Sequence, residues 1–158
     1  GLALVGGARW SEDALRLAPA ERNQAGAAWR REKTSVMGGF ESRFRFRITE
    51  SGGLGDGADG IVFAIQNSGP NALAGRGGAG GFAPEGQGEW RGRRRAIGYS
   101  IGIFFDTFAN AETDDPSNNY VGVYAFGRPE RAKWPPPRQG VSPRLRVDLK
   151  NGEEHEAR

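Results

Sequence analysis

Residues 96–123 read AIGYSIGIFFDTFANAETDDPSNNYVGV, and they restrict the fold more tightly than any other stretch of the chain. Ile97, Tyr99, Ile101, Ile103 and Phe105 alternate with Gly98, Ser100, Gly102, Phe104 and Asp106. This two-residue repeat belongs to a strand whose side chains face first one layer and then the other. The strand ends on a carboxylate. Asp106, Phe108 and Asn110 then recur at spacing two, and an acidic, Asn-rich loop (Glu112, Asp114, Asp115, Asn118, Asn119) precedes a second strand from Tyr120.

Such a loop has two readings. One is a solvated hairpin connection. The other is a cage for a hard cation such as calcium, which takes six to eight oxygens at roughly 2.3–2.6 Å. Asp106 and Asn110 offer side-chain oxygens, the Phe108 carbonyl can turn in between them, and Asp115, in a turn-favouring Asp-Pro pair, can close the cage. A carboxylate directly after Ile-Phe-Phe needs a partner, and the segment itself supplies no obvious base.

The rest of the chain agrees with an all-β domain. Its 26 glycines and 9 prolines among 158 residues imply many turns and hence many strands. That length suffices for one domain with its own core. The absence of cysteine excludes disulfides and thiolate metal sites, and a net charge of +3 is a weak basic bias. No apolar run approaches the ~20 residues of a membrane span.

In order along the chain, residues 2–5 and 14–17 read as two short strands joined by a turn at Ser11-Glu12-Asp13, and Trp29 as a core anchor at the head of a third. Residues 40–49 give the cleanest alternation, with Phe44, Phe46 and Ile48 inward and Arg43, Arg45 and Arg47 toward water. No aromatic platform shares the arginine face, so a solvated sheet surface is read there and not a nucleic-acid stripe. Asp59 precedes the apolar run Ile61-Val-Phe-Ala-Ile, a strand expected between two layers. Buried without partners it is costly, so it is either a strand-entry turn residue or a deliberate acceptor. The glycine loop at residues 74–83 lacks the Lys-Ser/Thr of a P-loop. Arg91, Arg93, Arg94 and Arg95 form a basic loop: a solvated connection, or an electrostatic lip for acidic glycans or anionic surfaces. Leu145, Val147 and Leu149 alternate with Arg144, Arg146 and Asp148 as a last strand, and Asn151-Gly152 is a hairpin signal. His155, the one histidine, lies in a charged tail and is given no catalytic role.

Four of these segments together resemble the L-type (legume-type) lectins, the concanavalin-like sugar-binding sandwiches: Trp29 with its hairpin, Ala58-Asp59-Gly60, the glycine loop, and Gly102-Ile-Phe-Phe-Asp-Thr-Phe-Ala-Asn110. The last is most similar to the animal cargo-receptor branch and its bacterial relatives. The resemblance implies an antiparallel β-sandwich (jelly-roll) spanning residues 1–158 as a single domain. It also implies that the covering C-terminal strands are missing, because such sandwiches run to about 200–250 residues.

The resemblance also implies a function: calcium-dependent, non-catalytic carbohydrate binding, with mannose/glucose and galactose types both open. Calcium would be held by Asp106, the Phe108 carbonyl, Asn110 and Asp115. Asp59, reached through a cis peptide bond, would accept from two sugar hydroxyls. Asn110 and a backbone N–H from Gly80 or Gly81 would donate, with the Phe108 ring under the pyranose. The transition-metal ligands of legume members, a Glu and a His, are replaced by Phe104 and Tyr120, so that second site is expected to be absent. A second calcium is left open by Asp114, Asn118 and Asn119. Weak single-site affinity implies several sites, hence an oligomer, for useful avidity. Placement is extracellular or in a secretory or periplasmic lumen. Two other classes compete: a glycoside hydrolase on the same sandwich, and a metal-free adhesion or interaction module.

Overall fold

Ten short strands and three single turns of 3-10 helix make up the described chain: β1 Leu2–Gly6, β2 Arg9–Ser11, β3 Ala14–Arg16, β4 Gly26–Arg30, β5 Phe44–Phe46, β6 Gly60–Gln66, β7 Ser100–Asp106, β8 Tyr120–Phe126, β9 Arg138–Val141 and β10 His155–Ala157. The computed structural model describes residues 1–50, 57–85, 95–135 and 137–158. All of its ladders are antiparallel. The largest sheet has the order β6-β7-β8-β9, and β1-β4, β2-β3 and β5-β10 are two-stranded.

Both faces of the four-stranded sheet are covered, which gives the concanavalin-like β-sandwich. On one face Phe63 and Phe105 meet β5: Phe44 stacks on Phe63 at 5.3 Å between centroids, and Phe46 lies 5.0 Å from Phe105. On the other face Phe104 meets Phe82 at 5.7 Å and Tyr124 at 4.8 Å. Ala74, Ala79, Ala83, Ala96, Ile97 and Phe126 complete this core, with Trp29 packed against it. Gly102 is the device that admits Phe82, since a Cβ there would lie 2.8 Å from the Phe82 ring. Trp29 also donates its Nε1 to the Ala72 carbonyl at 2.7 Å, tying β4 to the connection after β6.

Several elements differ from the sequence expectations, each for an identifiable reason. β1 pairs with β4, not with the strand at residue 14, because the turn at Glu12 (φ 51°) closes a separate β2-β3 hairpin. The strand expected over residues 40–49 shortens to Phe44–Phe46, the three residues that find a partner in β10. The strand expected from Ile97 starts at Ser100. Tyr99 adopts φ 49° and is 62% exposed, while Ile97 is buried and donates its N–H to Phe82. Residues 145–149 alternate but form no strand. The Asn119 side chain takes the hydrogen bonds that a neighbouring strand would, donating to Leu145 and Val147 carbonyls and accepting from the Leu149 N–H. The turn at Gly152 leads instead into β10, and Glu154 just before that strand and Glu156 within it pair with Arg43 and Arg45. The basic loop falls outside the described residues apart from Arg95.

Candidate functional site

Register builds the site. Gly60 pairs with Asp106, and Asp106 with Tyr120, so the start of β6, the end of β7 and the start of β8 lie side by side at one end of the sheet. The row continues one step further, where the Thr107 N–H donates to the Asp59 carbonyl at 3.0 Å. Asp59 follows a cis Ala58–Asp59 peptide bond. Residues 46 and 48 apart in sequence, Gly60 with Asp106 and Asp59 with Thr107, thus become neighbours through strand pairing alone.

Beyond β7 the chain turns back on itself. Asp106 Oδ1 accepts from the Phe108 N–H at 3.0 Å, and Asp115 Oδ2 accepts from the Asn110 N–H at 2.8 Å. The 3-10 turn Ala111–Thr113 closes onto the Asn110 carbonyl, which accepts from both Thr113 N–H and Thr113 Oγ1. Tyr120 stitches the two carboxylates together: its hydroxyl lies 2.6 Å from Asp115 Oδ1, 3.2 Å from Asp106 Oδ2 and 3.2 Å from the Tyr124 hydroxyl. The base that the segment lacks arrives from β9, where Arg138 Nη2 pairs with Asp115 Oδ1 at 3.1 Å.

Electrostatically this end of the sheet is under strain. Asp106 is 4% exposed, and burial, with Asp115 nearby, pushes its carboxyl up to about 7 against the lowering effect of the Phe108 and Tyr120 hydrogen bonds. Asp59 is raised as well, by burial first and then by the charges of Asp115 and Glu112. Burial and the bond to Asp115 keep the Tyr120 hydroxyl protonated. Thr107, 1% exposed, has a buried Oγ1 without a hydrogen-bond partner among the described residues.

The glycine loop reaches the same sheet end, with Gly77 and Gly78 nearest to Asp59 and Asn110. A Cβ on Gly77 would sit 3.6 Å from Asp59 Oδ2, and one on Gly78 3.0 Å from Asn110 Oδ1. Gly77 and Gly78 therefore line the space between Asp59 and Asn110. Their N–H groups donate to no described residue, nor does the Asn110 side-chain amide. Gly80 and Gly81 lie behind, their N–H groups given to the Gly77 and Gly75 carbonyls at 2.7 Å each. Gly80 (φ 60°) is packed so closely that a Cβ would meet the Phe104 ring at 2.7 Å and Val62 at 2.8 Å.

The expected calcium ligands, Asp106, Asp115, Asn110 and the Phe108 carbonyl, would all offer oxygen, the chemistry that suits a hard cation and not a transition metal. No group of three or more His, Cys, Asp or Glu able to hold a metal occurs among the described residues, and this set has two carboxylates. At the two positions where the resemblance would put transition-metal ligands, Phe104 is an aromatic core residue and Tyr120 has its hydroxyl committed to carboxylates.

The sequence profile of the legume-like lectin family matches residues 3–126, which is most of the chain and includes every element around the site up to β8. The chain belongs to the legume-like lectin family. Carbohydrate binding is the class of function that this lectin family brings with it. No curated protein matches the chain. The lectin's β9, with Arg138, lies beyond the matched region. No helix among the described residues is long and apolar enough to cross a membrane.

Proposed function

We propose that this lectin binds carbohydrate non-catalytically, in a calcium-dependent way, at the end of the β6-β7-β8 sheet. The observation that carries the reading is the convergence of Asp59, Asn110 and the Gly77-Gly78 backbone around one space, with two buried carboxylates behind it. Asp59 accepts from a vicinal pair of sugar hydroxyls, the Asn110 amide donates, and the free N–H groups of Gly77 and Gly78 donate in place of those of Gly80 and Gly81, which shape the loop from behind. The Phe108 ring, partly exposed, offers an apolar face to the pyranose. Asp106, Asp115, the Phe108 carbonyl and Asn110 hold the calcium. Its charge relieves the crowded carboxylates behind the loop that carries Asn110.

Hydrolysis is the weaker reading. A glycosidase needs a scissile bond placed between two carboxyl groups. Asp106 and Asp115 are both buried and share the Tyr120 hydroxyl, which leaves no room for a substrate between them. An oxygen-only ligand set for a hard cation also fits an extracellular or luminal setting, where calcium is plentiful. A few hydrogen bonds and one ring suit weak single-site affinity, so a multivalent assembly is expected to raise avidity.

The test is a glycan array run in calcium and again in EDTA, with Asp59→Ala as the comparison. Binding that requires calcium and is lost in the variant supports the reading and names the sugar. Absence of binding in both buffers, from protein that circular dichroism shows to be folded, overturns it.

A further inference from the structure

The loop that carries Asn110 is held by a cation that the protein itself supplies. Arg138 lies opposite Tyr124 in the β8-β9 ladder, at the point where its register shifts. Its Nη1 donates to the Asp114 carbonyl at 3.1 Å, and its Nη2 donates to the Thr113 carbonyl at 2.8 Å and to Asp115 Oδ1 at 3.1 Å. The guanidinium stands over the rings of Tyr120 and Tyr124, at 5.7 and 5.9 Å from their centroids. Asp115, its side chain 1% exposed, relays this grip to Asn110 through Oδ2, and Thr113 grips the Asn110 carbonyl from the other side.

We propose that Arg138 is the positioning residue of this site: it fixes residues 110–115 in the metal-free chain, so that Asn110 already faces Asp59 before any ligand arrives. The planar fork of a guanidinium can hold two carbonyls and a carboxylate at once while stacking on aromatic rings; an ammonium, a single point charge, cannot. A buried carboxylate that has lost its cation is strongly disfavoured, so without the arginine Asp115 would turn out to water and release Asn110. What Asn110 then does rests on the lectin reading above. The order of the loop does not.

Hydrogen exchange by mass spectrometry on the full chain in EDTA separates the two, comparing wild type, Arg138→Met and Arg138→Lys. Peptides covering residues 109–117 are expected to exchange about tenfold faster or more in Arg138→Met, equivalent to ~1.4 kcal/mol of lost local protection, with Arg138→Lys intermediate. Peptides of β6 and β7 should be unchanged, a pattern that a general loss of stability would not give. Calcium chloride is expected to restore protection to the Arg138→Met loop. Unaltered loop exchange in both variants, or acceleration spread equally over the sheet, overturns the proposal. Should Arg138→Met fail to fold, Arg138→Lys carries the test alone, and wild-type loop exchange in it is the refuting result. Calcium without effect on any of the three proteins overturns the calcium reading alone, since the EDTA comparison contains no metal.

Discussion

Asp106→Asn is the substitution that most directly probes the electrostatics of this site. The Asp106 carboxyl is raised from 3.8 to about 7, with burial as the main cause and Asp115 adding to it. A raised carboxylate destabilises the fold at high pH. Between about pH 4 and 7 the folded chain keeps a proton on Asp106 that the unfolded chain has released, so stability falls as pH rises through that window. Below it both states are protonated and the penalty vanishes; above it the penalty is complete. A shift of about three units corresponds to roughly 4 kcal/mol. Asparagine keeps the shape and removes the charge: its carbonyl accepts from the Phe108 N–H, and its amide donates to a Tyr120 oxygen whose proton goes to Asp115.

Metal-free Asp106→Asn should therefore be more stable than wild type at pH 8, by roughly 2–4 kcal/mol, and nearly equal to it at pH 4. At about 2–4 °C per kcal/mol for a chain of this size, the gain in Tm at pH 8 is on the order of 10 °C. Urea denaturation in EDTA across this pH range measures it. The same variant should lose any stabilisation that calcium gives the wild type. A wild type whose metal-free stability does not decline between pH 4 and 8, or an Asp106→Asn less stable than wild type at pH 8, refutes the reasoning.

Gly78→Ala should leave stability within about 1 kcal/mol but weaken glycan binding at least about tenfold, because its Cβ would press on Asn110 Oδ1 at 3.0 Å; glycan titration of the folded variant checks this. Gly80→Ala combines a left-handed backbone (φ 60°) with a Cβ 2.7 Å from the Phe104 ring, and should cost about 2–4 kcal/mol in urea denaturation. Asn119→Ala removes three hydrogen bonds to Leu145, Val147 and Leu149 and should cost about 2–4 kcal/mol, with faster amide exchange over residues 145–149.

What the sequence revealed and concealed follows from the range of the interactions. β6, β7 and β8 are legible because two-residue alternation is a local property, and once they pair antiparallel, Asp59 and Asp106 must meet at one sheet end. Which of Gly77, Gly78, Gly80 and Gly81 spend their N–H groups inside the loop is not legible. All four are glycines, and only the tight turn that spends the N–H groups of Gly80 and Gly81 on Gly77 and Gly75 distinguishes them. Alternation at residues 145–149 looks like a strand because periodicity cannot tell a neighbouring strand from an asparagine side chain that supplies the same hydrogen bonds. Arg138 carries no local signal at all. It stands 23 residues from Asp115, and its role depends on the β8-β9 register, shifted between Val123 and Tyr124.

The two halves of the site are built on opposite principles, and the contrast explains how they work together. Asp115 is neutralised internally, by Arg138 and by hydrogen bonds to both oxygens, so its loop has a shape of its own. Asp59 and Asp106 pair with no such cation among the described residues, and both are raised by burial and by the charge of Asp115. The carboxyls without a cation are therefore Asp59, beside Gly77, and Asp106, buried behind it. Any cation that binds the folded chain and not the unfolded one adds RT ln(1 + [L]/Kd) to its stability. A site whose shape is fixed by an arginine, but whose charge is left unbalanced, keeps the ordering cost of binding low while retaining the electrostatic drive. On the proposed reading, calcium supplies the missing charge and arrives at a loop already folded, so occupancy should change the stability of the protein far more than its shape.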